Sequence, residues 1–446
     1  MPILIVAVFL LCWTAAPAPG AESPLTLKSA VEKALSGNGR IRSAAYRAEA
    51  ARQAAAGVES RYYPRLVFEE TFSISNSPPQ AFMMKLDQGR FSQSDFQIPS
   101  LNNPPLTRNF STLLTLQQPL YDPSLRPQHE LAVRGAEHQR HALDATRQET
   151  VFQVFRLYLD LFRLKARVSA SGKAVDEARE SLRLAGVRSA AGVGLRSDEL
   201  RARTHLSAME QNLVTAHNDF SIARLQLAYA LGFESDRGMT LDDILPEFPV
   251  VRSLDDLTTL ALTNRSDLLG VLSERGRADA AVKLAGSDLL PTVGAVASYQ
   301  LNGRDLPFGA DNDAWSAGVR LSWQLFDGFR RYREQDRARA ERSALAEQFD
   351  YALKEVKLQV QESVLRRDEA AKRLEMARHS QLDAEETVRL LTRRFENSLA
   401  TMVELLDGQT AYNQARAALV DAEAGYLLAN GRVYHMAGVL AKEILK

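Results

Sequence analysis

The feature that most constrains the fold is a run of 68 residues, Arg330 to Asn397, that contains no glycine and no proline. The run is dense in Ala, Glu, Arg, Gln and Leu, which favour helix, and a helix of this length extends roughly 100 Å. Ordinary globular helices average about 11–12 residues. Apolar residues recur at coiled-coil spacing, as at Leu353, Val356, Val360 and Val364. The run therefore predicts a rod that packs along its side against other helices.

A second rod of the same length is predicted from Ser124 to Ala191, with Pro127 in its first turn. Each rod ends at a turn and doubles back. The first turn contains Gly192 and Gly194, which are free to adopt positive φ, and Ser197 is placed to cap the returning helix. The returning helices are predicted to end at about Leu231 and Met436. The chain thus contains two long helical hairpins.

The two hairpins belong to two copies of one repeat. Matched residues of the first and second copies are 227 positions apart near the start of each copy, as Leu27, Ala34 and Pro64 are from Leu254, Ala261 and Pro291. Further along, the motif ending Leu120-Tyr121-Asp122 is echoed by Leu325-Phe326-Asp327 at a separation of 205. Because the separation falls between these two points, the first copy must contain an insertion, which lies within 74–110. The Pro, Asn, Ser and Gln content of this stretch predicts a long loop.

Alternating apolar and polar residues precede each hairpin. Strands are predicted around Leu66 to Phe72 and Phe110 to Leu116 in the first copy, and around Val293 to Tyr299 and Trp315 to Leu325 in the second. Strands of about 9–11 residues with aromatic ends match those that cross a bilayer when tilted. A soluble sandwich is the alternative. The predicted fold class is mostly α with a small β part: duplicated helical hairpins plus four strands per chain.

Composition narrows the functional classes. The chain of 446 residues has 55 Lys and Arg against 55 Asp and Glu, and its mean hydropathy is −0.23. Zero net charge offers no basic field for nucleic acid, and the hydropathy argues against a polytopic helical membrane protein. The seven His are scattered, and neither a glycine-rich phosphate loop nor a nucleophile elbow occurs. We therefore expect neither an enzyme nor a resident cofactor or metal.

The amino terminus predicts export. An apolar run from Ile3 to Trp13 precedes small residues up to Ala21, which is typical of a signal peptide cleaved after Gly20 or Ala21. A buried N-terminal strand is the alternative. The only cysteine, Cys12, lies within this run and follows Leu11 rather than a small residue, so no lipid anchor is expected.

Four strands cannot close a barrel, and open sheet edges are not tolerated in lipid. The barrel must therefore be closed by an oligomer, and a trimer gives twelve strands. The duplicated order of helix, strand pair and long hairpin resembles the TolC-type outer membrane efflux protein family, with Leu325-Phe326-Asp327-Gly328 opening the second rod and Leu120-Tyr121-Asp122-Pro123 the first. The resemblance implies a homotrimeric channel in the outer membrane that extends into the periplasm. It also implies an exit duct for efflux or type I secretion, whose partners are a periplasmic adaptor and an inner-membrane pump of the RND or ABC type.

On this reading the chain divides into seven parts. These are a signal peptide (1–21), N-terminal helices of the first repeat (22–64), its barrel strands (65–121) with a long extracellular loop (74–109), its periplasmic hairpin (122–233), a linker with the N-terminal helices of the second repeat (234–291), the second pair of barrel strands (292–327), and the second hairpin with the C-terminal segment (328–446).

The resemblance also implies site residues. A Val-Gly-Leu-like segment at the first tip docks on the adaptor in this family, and the corresponding residues at both tips are Gly192, Val193, Gly194, Leu195, Leu399, Ala400 and Thr401. In this family, carboxylates just inside the second tip form the pore constriction and gate, and the matching residues are Glu404 and Asp407. Asp198 matches a first-tip acid that helps to hold the closed state of the gate. An arginine common in the second turn is replaced by Ala400, which leaves Arg196 and Arg394 as possible partners for a closing salt bridge.

Other readings stay open. Acids in first turns also favour the helix dipole, and the glycines also suit any tight turn. The main functional alternative is a periplasmic adaptor, which is also exported and has a coiled-coil hairpin, although an adaptor would carry one hairpin flanked by β-segments. An exported coiled-coil scaffold is the third possibility.

Overall fold

The computed structural model describes residues 24–235, 248–250 and 252–446. The predicted signal peptide lies outside the described residues. Within them the elements are α1 (Leu27–Gly37), α2 (Gly39–Glu59), β1 (Arg65–Ser75), α3 (Pro78–Asp87), α4 (Ile98–Asn102), β2 (Thr107–Tyr121), α5 (Leu125–Ala190), α6 (Arg196–Leu231), α7 (Leu254–Asn264), α8 (Ser266–Ser287), β3 (Thr292–Gly303), β4 (Asn312–Ser322), α9 (Arg330–Glu396), α10 (Met402–Met436) and α11 (Leu440–Leu445).

The chain forms two compact units. The strand unit comprises 43–145 and 265–357, and therefore contains the four strands, α3, α4, α8 and the first parts of α5 and α9. The helical unit comprises the other described residues and contains α1, α6, α7, α10, α11 and the remainder of α5 and α9. The predicted fold class is confirmed: two long helical hairpins, α5 with α6 and α9 with α10, accompany four strands.

The strand unit contains one antiparallel sheet in the order β1-β2-β3-β4, so β1 and β4 are its edges. Cross-strand partners share a face, and the register therefore sorts the side chains. One face is apolar and exposed, and it includes Leu66, Phe68, Phe72, Leu114, Leu116, Trp315, Val319 and Leu321. Glu70 interrupts this face, and its carboxylate accepts a hydrogen bond from the Thr112 hydroxyl at 2.5 Å.

The opposite face of the sheet is polar. Ser298 and Ser316 lie directly across from each other with their hydroxyls 2.8 Å apart, and Gln300 donates to the Ser111 hydroxyl at 3.1 Å. A sheet that is apolar on one face and polar on the other suits a wall between lipid and water. Exposed aromatic residues flank one end of the strands, at Tyr62, Tyr63, Tyr121, Trp323, Phe326 and Phe329.

Two local predictions need correction. The fourth strand ends at Ser322 rather than Leu325, because its partner β3 begins at Thr292, which pairs with Ser322, and the ladder has no further residues to bond. The segment between β1 and β2 is not the plain loop that its composition predicts, since it contains α3 and α4. Buried side chains of this segment, such as Ala81, supply the packing that holds these helices.

The helical unit has its core where α5 meets α10. Phe155 and Tyr158 on α5 are fully buried, and the Tyr158 hydroxyl donates to the Leu25 carbonyl at 3.1 Å. Gly431 on α10 allows this approach, because a Cβ there would lie only 2.1 Å from Cε1 of Phe155. No helix among the described residues is long and apolar enough to cross a membrane.

We expect Gly431→Ala to lower the free energy of unfolding by about 1–3 kcal/mol, because the added methyl group overpacks a closed core contact. Gly425→Ala on the same helix is the matched control, because a Cβ at Gly425 has no atom of the described residues within 4 Å. The control should leave stability unchanged or raise it slightly, since Ala favours helix over Gly. Thermal unfolding followed by circular dichroism at the helix band measures both; equal midpoints would contradict the expectation.

Candidate functional site

The two hairpin tips come together in the helical unit. The ends of α5, α6, α9 and α10 share one apolar cluster, whose buried members are Ala185, Ala202, Phe395, Met402 and Leu405. Leu391, Leu406 and Ala400 pack against this cluster. The apolar positions of four helix ends thus bring the predicted tip residues of both repeats into one site.

The two turns have the same backbone conformation, and equivalent residues in them are 206 positions apart in the sequence. In the first, the N–H of Val193 donates to the carbonyl of Arg188 at 3.1 Å; in the second, the N–H of Leu399 donates to that of Arg394 at 2.7 Å. The residue before each donor has a left-handed backbone, with φ of 73° at Gly192 and 62° at Ser398. Gly192 is therefore a turn glycine that the conformation favours, whereas Ser398 adopts the same conformation with a side chain.

Gly194 also has a structural role in the first turn. A Cβ at this position would lie 2.9 Å from the Cβ of Arg188 and 3.1 Å from its backbone carbonyl carbon. A side chain there would displace the backbone of the turn, so substitutions at Gly194 change the shape of the tip. Tests of docking must therefore use its exposed neighbours.

The tips present exposed apolar side chains. Val193 and Leu195 are 68% and 66% exposed at the first tip, and Leu399 is 68% exposed at the second. Ala400, by contrast, packs against the apolar cluster, and Thr401 caps α10. Of the seven predicted docking residues, Val193, Leu195 and Leu399 are thus the large side chains available to a partner.

The predicted cap at Ser197 is wrong. Helix α6 begins at Arg196, and its N-cap is Leu195, which has no side-chain oxygen to accept a hydrogen bond. The extended backbone of Leu195 starts the helix before Ser197 is reached. At the second tip the corresponding N-cap is Thr401, and Glu404 completes a capping box.

The predicted constriction acids lie in the first two turns of the returning helices. Asp198 and Glu404 both occupy the third helical position, and they differ in burial: Asp198 is half-buried and Glu404 exposed. Asp407 is exposed one turn further along α10. Residues three apart share a helix side, so Glu404 and Asp407 place two carboxylates on the same side of α10.

Glu404 is held by its capping box. Its Oε2 accepts from the Thr401 backbone N–H at 2.7 Å and from the Thr401 hydroxyl at 2.9 Å. These hydrogen bonds hold the pKa of Glu404 below its ordinary value, so the carboxylate stays charged at neutral pH. The Thr-x-x-Glu spacing is a capping signal, and it locates the start of α10 in the sequence.

The two arginines predicted as possible partners for a closing salt bridge, Arg196 and Arg394, contact other groups in the structure. Arg196 pairs with Glu199 on its own helix, and Arg203 donates to the same carboxylate at 2.9 Å. Arg394 donates to the Leu399 carbonyl at 3.1 Å within its own turn.

Arg188 connects the two tips. Its guanidinium donates to the Phe395 carbonyl at 2.5 Å and to the Ser398 hydroxyl at 2.8 Å, and it lies 4.8 Å from the centre of the Phe395 ring. We call this contact the tip clasp. Sequence reasoning missed Arg188, because nothing in its local pattern indicates a partner 207 residues away.

A polar layer between α5 and α10 lies behind the tips. Ser181 and Gln409 are buried and hydrogen-bonded to each other at 3.0 Å, and Glu177 lies 3.5 Å from Arg416. Burial raises the pKa of Glu177 above its ordinary value. This effect is larger than the lowering of the pKa by the nearby Arg416 guanidinium. The Ser181–Gln409 pair favours this register of the two hairpins, since a shifted helix would leave both buried side chains unpaired.

Comparisons with known proteins agree with this architecture. A sequence profile described as outer membrane efflux protein matches residues 30–233 and 257–439. The structure is similar to VceC of Vibrio cholerae, at 18% identity and a TM-score of 0.77 over 92% of this chain and 96% of that one. It is also similar to CmeC of Campylobacter jejuni, at 15% identity and 0.78 over 98% and 94%. No curated protein sequence matches the chain.

A third solved structure, the open state of the MtrE outer membrane channel of Neisseria gonorrhoeae, has 17% identity and a TM-score of 0.74, over 92% of this chain and 88% of that one. At these identities the similarity shows the fold, and the sequence profile shows the family. The profile covers both repeats, including both hairpins with their tips and the strands of the sheet. The chain therefore belongs to the outer membrane efflux protein family, whose members are outer-membrane channel proteins rather than enzymes.

Proposed function

We propose that three copies of the chain close one twelve-stranded barrel and form the exit duct of a tripartite efflux or type I secretion system. The observation that carries this proposal is the four-stranded sheet, whose apolar face is exposed and whose edges β1 and β4 have no partner strand among the described residues. In lipid an open edge leaves backbone N–H and C=O groups unsatisfied. Pairing β4 of one copy with β1 of the next satisfies both edges.

The exposed side chains of the tips support the proposed partners. Exposed Val193, Leu195 and Leu399 offer an apolar surface for a periplasmic adaptor, which would join the duct to an inner-membrane pump of the RND or ABC type. Deleting the gene in its host and measuring accumulation of a panel of toxic compounds tests the exit function. Restored export on complementation supports it, and unchanged accumulation after deletion contradicts it.

The carboxylates Glu404, Asp407 and Asp198 are proposed to line the constriction of this duct. In a trimer, Glu404 and Asp407 alone contribute six negative charges to one ring, which attracts cations and excludes anions. The low pKa of Glu404 keeps its part of this charge in place below neutral pH.

We expect Glu404→Gln/Asp407→Asn to reduce the cation preference of the channel and its block by divalent cations. Glutamine keeps the capping-box acceptor, so the start of α10 should be preserved while the charge is lost. Reversal potentials in planar bilayers under a salt gradient measure the effect. Glu423→Gln, which removes a charge further along α10, is the control. Equal reversal potentials for the wild-type protein, the double variant and the control would reject the placement of Glu404 and Asp407 at the constriction.

A further inference from the structure

Charged side chains on the polar face of the sheet occur only on its two edge strands. The register places Arg65 and Glu69 on this face of β1, and Arg320 on this face of β4. Every polar-face residue of the inner strands β2 and β3 is uncharged. The charges therefore lie where the proposed trimer joins β4 of one copy to β1 of the next, a contact that we call the seam.

Glu69 and Arg320 are open to a partner. Both residues are exposed, and neither forms an ion pair or a side-chain hydrogen bond within the described residues. Gly318 is the neighbour of Arg320 on the same face of β4, and a Cβ at Gly318 has no atom of the described residues within 4 Å. An acid on one edge of the sheet and a base on the other edge are complementary when two copies meet.

The tilt of a closed barrel limits the register of the seam. The cross-strand pairs place Ala314 on β4 level with Glu69 on β1 of the same chain. Barrel strands tilt by about 35–45°, which requires β1 of the next copy to be displaced along its own direction. With strands about 4.8 Å apart and a rise of about 3.3 Å per residue, a displacement of four residues per chain gives a tilt of about 35°, and six residues about 45°. The displacement must be even, because an odd one sets the polar face of one copy beside the apolar face of the next.

The ends of the edge strands decide the direction of this displacement. β1 and β4 each have 11 residues. Counting four residues from Glu69 toward the end of β1 sets Ala314 opposite Ser73 of the next copy, and this first register pairs both strands along their whole length. Counting six residues sets Ala314 opposite Ser75 and shortens the ladder slightly, which is the second register. Counting in the other direction leaves most of both edges unpaired, which lipid does not tolerate.

Both registers bring Glu69 close to Arg320 of the neighbouring copy. In the first register Glu69 faces Gly318, and Arg320 is its diagonal neighbour; in the second register Glu69 and Arg320 are directly opposite. Diagonal neighbours are about 7–8 Å apart, which long side chains can bridge. A displacement of only two residues would instead set Arg320 opposite Arg65, and like charges directly opposite each other destabilise strand pairing. The charges thus favour the same registers as the tilt.

The apolar face of the sheet supports the first register. In that register Phe72 lies opposite Trp315 of the neighbouring copy, and Phe68 lies opposite Val319. All four side chains are more than half exposed in the single chain. Aromatic pairs and pairs of an aromatic with a β-branched residue stabilise neighbouring antiparallel strands. The two edges are therefore complementary on both faces of the sheet.

We propose that Glu69 of one copy and Arg320 of the next form an ion pair on the lumen side of each seam, and that this pair selects the register in which the barrel closes. The inference rests on the proposed trimer. An exposed ion pair adds little stability, so its effect lies in disfavouring wrong registers rather than in holding the barrel together.

Cysteine pairs across the seam measure its register. Cys12 is the only cysteine of the chain, and Cys12→Ser provides a cysteine-free background. Residues directly opposite in antiparallel strands have Cα atoms about 4.5–5.5 Å apart, which a disulfide can bridge. On oxidation, Ser73→Cys/Ala314→Cys should give a covalent trimer in the first register, and Ser75→Cys/Ala314→Cys in the second. Within one chain β1 and β4 are separated by two strands, so the disulfide must join two copies.

Val67→Cys/Ala314→Cys is the matched control for the cross-link. Val67 lies on the same face of β1 as Ser73, but it is six residues away, which is about 20 Å along the strand. The control should give no covalent trimer.

Charge variants in the cross-linking background test the ion pair itself. Glu69→Arg should reduce the yield of covalent trimer several-fold, because it sets like charges across each seam. Glu69→Arg/Arg320→Glu exchanges the two charges and should restore the yield. If Glu69→Arg fails to assemble, recovery of the trimer in the exchanged variant supports the pair in the same way.

The possible failures are distinguishable. A yield that Glu69→Arg leaves unchanged, or that the exchanged variant does not restore, overturns the ion pair. A trimer on unheated gels that gives no cross-link from either serine position overturns both the register and the ion pair, and keeps the proposed trimer. A monomeric wild-type protein overturns the proposed function and this inference with it.

Discussion

Val193→Glu/Leu195→Glu should reduce export to the level of a strain that lacks the gene. Both side chains are apolar and about two-thirds exposed at the first tip, which the proposed adaptor would cover. Burying two unpaired carboxylates per copy in an apolar contact costs several kcal/mol, and a trimer repeats that cost three times. Accumulation of an exported dye in cells that express the variant measures the effect.

Val193→Ile/Leu195→Met is the control for this result, because it keeps the tip apolar and should keep export. The trimer should persist on unheated gels in both variants, since neither residue belongs to the buried tip cluster. Full export by the glutamate variant would remove the first tip from the docking surface. This design avoids Gly194, where any side chain meets the backbone of Arg188.

Arg188→Ala should open the tip clasp and raise channel conductance. The change removes two hydrogen bonds from a guanidinium to the second tip and its contact with the Phe395 ring, together worth about 1–3 kcal/mol. Alanine keeps the Cβ that packs under Gly194, so the first turn should hold. Conductance in planar bilayers is the primary measurement, and entry of large antibiotics into cells is the second.

Arg183→Ala is the control for the clasp. Arg183 lies on the same helix, but its ion pair at 2.6 Å is with Glu180 of that helix and does not reach the second tip. It should leave conductance unchanged. Equal conductance for Arg188→Ala and the wild-type protein would show that the apolar cluster alone holds the tips together.

The long helices and the duplication could be predicted because their signals are local and repeated. The run without Gly or Pro from Arg330 extends through α9, which ends at Glu396, and the predicted ends at Leu231 and Met436 are confirmed. Helix propensity summed over so many residues leaves few alternatives.

The turns were predicted in part. A glycine at position 192 indicates that a left-handed backbone is possible there. Ser398 adopts the same left-handed conformation, although a serine does not indicate it. The Arg188 guanidinium donates a hydrogen bond to the Ser398 hydroxyl. Residue type alone predicts a cap at Ser197, but α6 begins at Arg196 with Leu195 as its N-cap. Local type cannot decide between neighbouring positions when the turn geometry sets the boundary.

The insertion and the tip clasp needed the three-dimensional structure. Pro, Asn and Ser content predicted a loop at 74–110, but packing among three phenylalanines and the buried Gln88 organises it. The contact between Arg188 and Phe395 joins residues that are distant in sequence. The roles of Asp198, Glu404 and Asp407 in a pore remain predictions from family resemblance.

Native mass spectrometry of the detergent-extracted protein tests the central claim most directly, because the sheet of one chain has an exposed apolar face and two edges that no other described strand pairs with. We predict a particle of three identical chains that persists after mild heating and dissociates to single chains on boiling. A particle of one chain, stable in detergent with its sheet intact, would contradict the shared barrel and with it the proposed exit duct.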